Sequence, residues 1–319
     1  MLYSPVHMHI PDGFLSIVIA MICWAITIVT LGVAISRTNR SLGERQVPLM
    51  GVIAAFIFAA QMINFPVAGG TSGHLLGGAL AAITLGPWAG MLVMTAVIAV
   101  QGLLFQDGGL VVMGANILNM GLLTVAVGYG LYRSAIGSNR TLKLIVAGLA
   151  AWLSVMTGAL ATALELWLSG TARLQLVVPA MLGVHALIGL GEALITVAAL
   201  GFILRSRPDL LGEKSESAKG SRAWVLVGIV LTLIVVLLSP FASANPDGLI
   251  RVANDMGFIH TAQSGTGPLA KYTVPFLSSV PASRIVAGVI GVLVVLAIIF
   301  ITGRGMQADR KSKTTDRKS

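Results

Sequence analysis

HLLGGALAAITL, residues 74–85, decides the topology of this chain. The stretch is apolar after its first residue and lies between a loop, Asn64–Gly73, and a Gly86-Pro87 break. As a helix its twelve residues rise about 18 Å, whereas about 20 residues are needed to cross a hydrocarbon core of about 30 Å. It is therefore a half-helix or a compact span. The other apolar runs are 14–35, 47–63, 87–105, 110–132, 144–168, 177–204, 223–241 and 285–303. With residues 1–13 outside and 74–85 counted as a crossing, seventeen of the 21 Lys and Arg fall on inner segments. Only Arg173, Arg251, Lys271 and Arg284 lie outside. Without that crossing everything after it inverts and the asymmetry is lost, against the positive-inside rule. The sequence predicts nine crossings, seven and then two.

Composition sets the class. The chain has 319 residues, 56% apolar and 10% charged, with a mean hydropathy of +0.90. A soluble domain carries about 25% charged residues to wet its surface. The predicted fold is all-α and polytopic in a membrane, with the N-terminus outside and the C-terminus cytoplasmic. Its 37 glycines suit close helix approach. The net charge of +9 follows the inner segments, so it reads as topology and not as a nucleic-acid surface. The lone Cys23 excludes an internal disulfide and any CxxC site. The chain has no GxxxxGK[ST] loop for nucleotide phosphates and no HExxH metal motif. Residues 1–13 lack Lys and Arg, so no signal peptide is read there and the first apolar run stays in the membrane.

The charged, Ser-rich segment 206–222 is the one linker. It separates a seven-helix unit, 8–205, from a two-helix unit, 223–304, with an external loop at 240–284. In that loop Asp247 is expected to cap a short helix whose one face carries Leu249, Val252, Ala253 and Met256. Residues 305–319 form a basic tail that anchors topology.

The five histidines are His7, His9, His74, His185 and His260. On this topology His9 and His74 share the outer face, each at a helix entrance. In a chain beginning at Met8, the free amine, the His9 backbone nitrogen and the His9 imidazole close two fused chelate rings around one ion. The His74 imidazole fills the fourth corner. Four nitrogens in a plane suit Ni(II) or Cu(II) and disfavour tetrahedral Zn(II). Pro11 would stiffen the chain after the chelate, and Asp12 is expected to accept an imidazole N–H. The plainer alternative makes His9 an interfacial polar residue and His74 a helix-start residue.

Other residues also admit two readings. Gly70-Thr71-Ser72-Gly73 resembles the GxSG motif of rhomboid intramembrane proteases, with His185 as dyad partner, or is simply a glycine-rich loop near a ligand. Glu192 lies one heptad after His185, where an ionisable group is either functional or bonds helix to helix. Gln61, Asn64, Gln101, Asn116 and Asn119 line an ion route or join helices.

Met8–Ser16 (MHIPDGFLS) and Asn64–Gly78 (NFPVAGGTSGHLLGG) resemble the two motifs of the membrane-embedded substrate-binding component of cobalt/nickel energy-coupling-factor transporters, the NikM/CbiM family. The second unit, through Ser239-Pro240-Phe241-Ala242-Ser243 and Pro246-Asp247-Gly248-Leu249, is similar to the small two-helix companion subunit, here fused. The resemblance implies metal ligation by the Met8 amine, by the His9 backbone nitrogen and imidazole, and by His74. Asp12, Asn64, Ser72, His185 and Glu192 are the candidates to surround these ligands. It further implies a transmembrane coupling protein and cytoplasmic ATPases as partners, so the chain itself is not an enzyme and needs no cofactor. The cargo is Ni(II), because Pro11-Asp12-Gly13 resembles the nickel members, with Co(II) as the alternative. The location is a bacterial or archaeal plasma membrane. One departure stands out: MLYSPVH precedes Met8 and would bury its amine in a peptide bond, so the mature chain is expected to start at Met8.

Overall fold

The computed structural model describes residues 8–43, 46–211, 223–263 and 267–315. It is all-α, with a single small hairpin among the described residues. In chain order the helices are α1 (Ile17–Ser41), α2 (Gln46–Gln61) and α3 (Gly78–Leu85). They continue with α4 (Pro87–Phe105), α5 (Met113–Ala135), α6 (Arg140–Leu168) and α7 (Leu174–Ser206). The last three are α8 (Ala223–Leu238), α9 (Gly248–Asp255) and α10 (Val280–Thr315). Among the described residues, seven helices are long and apolar enough to cross a membrane. The chain is thus a multi-pass membrane protein. Most of the linker, from 212 to 222, and the segment MLYSPVH that precedes the expected start, residues 1–7, lie outside the described residues.

Helix α1 shows how the bundle is organised. The Ser16 side chain accepts from the Ile19 N–H to cap it, and its buried face is small: Ala20, Cys23, Thr27, Ala34 and Thr38. Its exposed face carries Ile17, Val18, Met21, Ile28 and Val29, as expected where lipid replaces water and small residues make the helix contacts. Helix α2 is the opposite case. None of its residues is exposed, because α3, α4, α8 and α10 pack around it. Helices α1, α6, α7 and α10 outrun their apolar runs; α10, expected over 285–303, continues to Thr315. Hydropathy marks contact with lipid, whereas Lys and Arg propagate a helix well beyond it.

Residues 74–85 differ from the expectation of one short helical span. Strands β1 (Phe65–Val67) and β2 (Thr71–Gly73) form an antiparallel hairpin, residues 74–77 are irregular, and only α3 is helical. The chain still passes from the end of the bundle near Met8 to the opposite end, where α3 meets the turn Pro208–Leu211 that follows α7. Irregular backbone at membrane depth survives only when protein encloses it and pairs its polar groups. Both conditions hold, since residues 71–84 are all buried. The Glu192 carboxylate of α7 accepts the Leu76 and Gly77 N–H groups at 2.6 and 2.8 Å, and the Gln61 side-chain amide donates to the Leu76 carbonyl at 2.7 Å. Gly77 caps α3 at φ +83°, where a Cβ would lie 2.7 Å from the Ile57 side chain. Glu192 and Gln61 thus bond to this backbone.

The second unit packs α8 on α2, and α10 on α2 and α4. Its connecting loop folds over the end of the bundle that carries Met8. The Ser243 N–H donates to the Asn64 carbonyl at 2.7 Å, Ser72 N–H to Pro246 at 2.8 Å, Gln263 N–H to Asp12 at 2.8 Å and Leu269 N–H to Leu104 at 2.9 Å. Within the loop Asp247 caps α9 by accepting the Ile250 N–H at 3.0 Å, as the sequence predicts.

Candidate metal-binding site

The N-terminal segment is stitched to the loop between α4 and α5. The Met8 nitrogen donates to Asp107 Oδ1 at 2.8 Å, and the His9 Nδ1–H donates to the Asp107 carbonyl at 2.9 Å. Asn116 pairs reciprocally with the backbone of Ile10, at 2.9 and 3.0 Å. Glycines permit this closeness: Gly108 sits at φ +95°, and a Cβ there would lie 2.9 Å from His9 Cβ. Asp12 does not accept an imidazole N–H as expected. Its carboxylate takes the Leu110, Val111 and Val112 N–H groups at 3.0, 3.0 and 3.2 Å, because the start of α5 leaves those donors without helical partners. The imidazole is served by the Asp107 carbonyl instead.

His74 comes from the irregular crossing. Its Nδ1 lies 2.9 Å from the Leu75 carbonyl, and its Nε2 lies 3.2 Å from the Met8 carbonyl and 3.9 Å from Asp247 Oδ2. A neutral imidazole has one ring hydrogen. It can donate to only one of these two carbonyls, and the other ring nitrogen keeps its lone pair. The His9 and His74 ring centroids are 5.7 Å apart, and His9 Nε2 is buried with no hydrogen-bond partner. Between them lies a cavity of about 50 Å³ whose lining includes Met8, His9, His74, Asn119, His185 and Asp247. An organic ligand takes a pocket of about 300 Å³ or more. This cavity is ion-sized.

Of the residues the sequence singled out for the site, Met8, His9, His74, Asn116, Asn119 and His185 line the cavity. His185 Nδ1–H donates to the Met181 carbonyl at 2.7 Å, within its own helix. Ser72 does not line it, and its hydroxyl donates to the Asn245 carbonyl at 2.8 Å, so no Ser–His dyad forms among the described residues. Asn64 is buried away from it, beneath Ser243. Glu192 stands behind His74, on the Leu76 and Gly77 backbone.

Sequence reading missed Asp107, Tyr272 and the approach of Asp247 to His74. The only local signal for Asp107 is the Gly108-Gly109 pair after it, which allows another backbone to come close. Tyr272 O–H donates to Asp107 Oδ2 at 2.8 Å. Burial, reinforced by the Asp107 charge, holds this phenol well above its ordinary pKa, so it stays a donor. Burial also pushes the Asp247 carboxyl up to about 8, opposed by the Ile250 N–H and reinforced by Asp107. Among the described residues no group of three His, Cys, Asp or Glu is placed to hold a metal with side chains alone.

Residues 9–210 match the family model for the cobalt uptake substrate-specific transmembrane region, CbiM. The chain belongs to this family. Residues 222–308 match the PDGLE domain. The chain is 36% identical over 299 residues to a putative fused nickel transport protein NikMN of Archaeoglobus fulgidus, covering 93% of this chain and 98% of that one. It is 29% identical to the fused nickel transport protein NikMN of Rhodobacter capsulatus, over 96% of this chain and 99% of that one. To the cobalt transport protein CbiM of Sorangium cellulosum it is 32% identical, over 64% of this chain and 94% of the relative. A crystal structure of a truncated transition metal transporter aligns with a TM-score of 0.56 and 35% identity, covering 62% of this chain and 99% of that one. With this family the chain is a membrane transport protein and not an enzyme.

Proposed function

We propose that this CbiM-family chain is the substrate-binding subunit of an ATP-driven importer of nickel, and that it takes the ion at Met8, His9 and His74. One observation carries the reading. Around an ion-sized cavity, His74 Nε2 comes within 3.2 Å of the Met8 carbonyl, at the residue that supplies the amine, with the His9 ring alongside. Three of the four nitrogens come from Met8 and His9, and His74 closes the plane. Only His9 Nδ1 can close a ring with its own backbone nitrogen, so on binding it exchanges the Asp107 carbonyl for the ion. Four nitrogens favour Ni(II) over ions that prefer a tetrahedron. The full-length relatives named NikMN support nickel, while the relatives named CbiM keep cobalt as the alternative.

The Met8 nitrogen serves as a primary amine, with translation starting at that residue. The chain divides into a metal-binding unit, 8–205, and a companion unit, 223–304, joined by the linker 206–222. The N-terminus faces outside the plasma membrane and the basic tail faces the cytoplasm, following the charge asymmetry. Without a phosphate-binding loop, the chain relies on separate ATPases, reached through a transmembrane coupling subunit. The test is metal content and absorption of the purified protein. Stoichiometric nickel with a low-spin planar band is expected, lost in His9→Ala and in His74→Ala and kept in His260→Ala. Full nickel affinity in His74→Ala would overturn the site, and selective retention of cobalt would overturn the cargo.

A further inference from the structure

We propose that Tyr272, in the loop of the second unit, is a positioning residue for the Met8 nitrogen, acting through Asp107. The inference rests on the metal site proposed above. Asp107 divides its two oxygens: Oδ1 accepts from the Met8 nitrogen at 2.8 Å, and Oδ2 accepts from the Tyr272 hydroxyl at 2.8 Å. A carboxylate held at one oxygen has its rotation fixed, so Tyr272 determines where the other oxygen points. An amine bound to a metal offers its lone pair to the ion and its hydrogens elsewhere. An acceptor fixed on the hydrogen side therefore aims the lone pair into the cavity.

The phenol is itself anchored to the first unit. Its ring stacks on Phe105, with centroids 4.7 Å apart and planes 20° apart, and Phe105 lies 5.4 Å from Phe58. Lys271 and Tyr272 both adopt left-handed backbone, φ 67° and 54°, which turns the ring inward from the loop. The adjoining Leu269 N–H is tied to the Leu104 carbonyl at 2.9 Å. None of these contacts puts Tyr272 on the ion. It shapes the site from one residue further out, where such partners set metal affinity by about 10- to 100-fold.

The experiment uses full-length protein that binds nickel. Tyr272→Phe keeps the ring stack and removes only the hydroxyl. A nickel Kd raised about ten-fold is expected, with the planar band at saturation and the unfolding temperature in detergent both unchanged. Asp107→Asn should weaken binding at least as much, and the double variant should be no weaker than Asp107→Asn alone. Wild-type affinity in Tyr272→Phe overturns the inference. So do losses that multiply in the double variant, or a loss that comes with a lower unfolding temperature and persists in the Asp107→Asn background. His74→Ala is the control on the site itself: if it still binds nickel, the site is wrong, whatever Tyr272 does.

Discussion

Replacing Glu192 with Gln tests why an acidic side chain stands inside this bundle. Its carboxylate is fully buried and accepts two backbone N–H groups, from Leu76 at 2.6 Å and Gly77 at 2.8 Å. A glutamine keeps one acceptor oxygen and turns its NH₂ toward the other N–H, so one donor is left unpaired. Hydrogen bonds between helix side chains in a membrane protein average about 0.6 kcal/mol, because the separated helices find other partners. That low value does not apply to Leu76 and Gly77, which lie outside any helix and have no such substitute. A buried donor left without its acceptor costs about 1–3 kcal/mol, and this range governs. Glu192→Gln should cost about 2 kcal/mol, equivalent to about 5 °C in the unfolding temperature of detergent-solubilised protein. Nickel affinity should fall with it, because Leu76 is two residues from His74. Differential scanning fluorimetry and nickel titration read the two effects. An unchanged unfolding temperature together with lost uptake would refute the structural account and make Glu192 a functional ionisable group.

Gly108→Ala adds a Cβ 2.9 Å from His9 Cβ at a backbone of φ +95°. It should weaken nickel binding at least ten-fold in titration without blocking membrane insertion, and wild-type affinity would sink the fit of this loop against His9. Ser72→Ala loses one hydrogen bond to the Asn245 carbonyl, worth about 1 kcal/mol, and should leave nickel uptake by cells nearly intact. Abolished uptake in stably inserted Ser72→Ala protein would restore a chemical role for that hydroxyl. The Met8 amine is tested by comparing protein that starts at Met8 with protein that carries MLYSPVH or a tag before it. Only the first should show the planar nickel band, since an amine binds through a free lone pair, whereas an amide nitrogen in its place would have to lose a second backbone proton. A planar four-nitrogen band from extended chains, with the extension verified by intact mass, would remove the amine from the ligand set.

The all-α membrane class and the approach of His9 to His74 were legible because each rests on a long-range regularity. Hydropathy runs mark lipid contact, and basic residues mark one face. Two histidines in an apolar chain stand out on a common side. What escaped depends on backbone donors and acceptors, which sequence does not display. Asp12 looked like a partner for an imidazole, yet three N–H groups at the start of α5 claim it. Glu192 looked like either a functional acid or glue between helices, yet its partners are the two N–H groups where the crossing is irregular. Asp107 and Tyr272 lie 165 residues apart, and only the folding of one unit onto the other brings them together.

The carboxylates near the cavity share a pattern that bears on which ions the site admits. Asp12 is taken up by the loop donors, Asp107 by Met8 and Tyr272, and Glu192 by the irregular crossing. Asp247 caps α9 with one oxygen and turns the other toward His74 at 3.9 Å. At most one carboxylate oxygen therefore faces the space between the imidazoles. Calcium needs six to eight oxygen ligands, and magnesium a near-ideal octahedron with several waters kept. A cavity of about 50 Å³ whose lining holds a single carboxylate, Asp247, meets neither demand. The same bonds that fix the irregular backbone and the loops thus take up most of the carboxylate oxygens near the cavity.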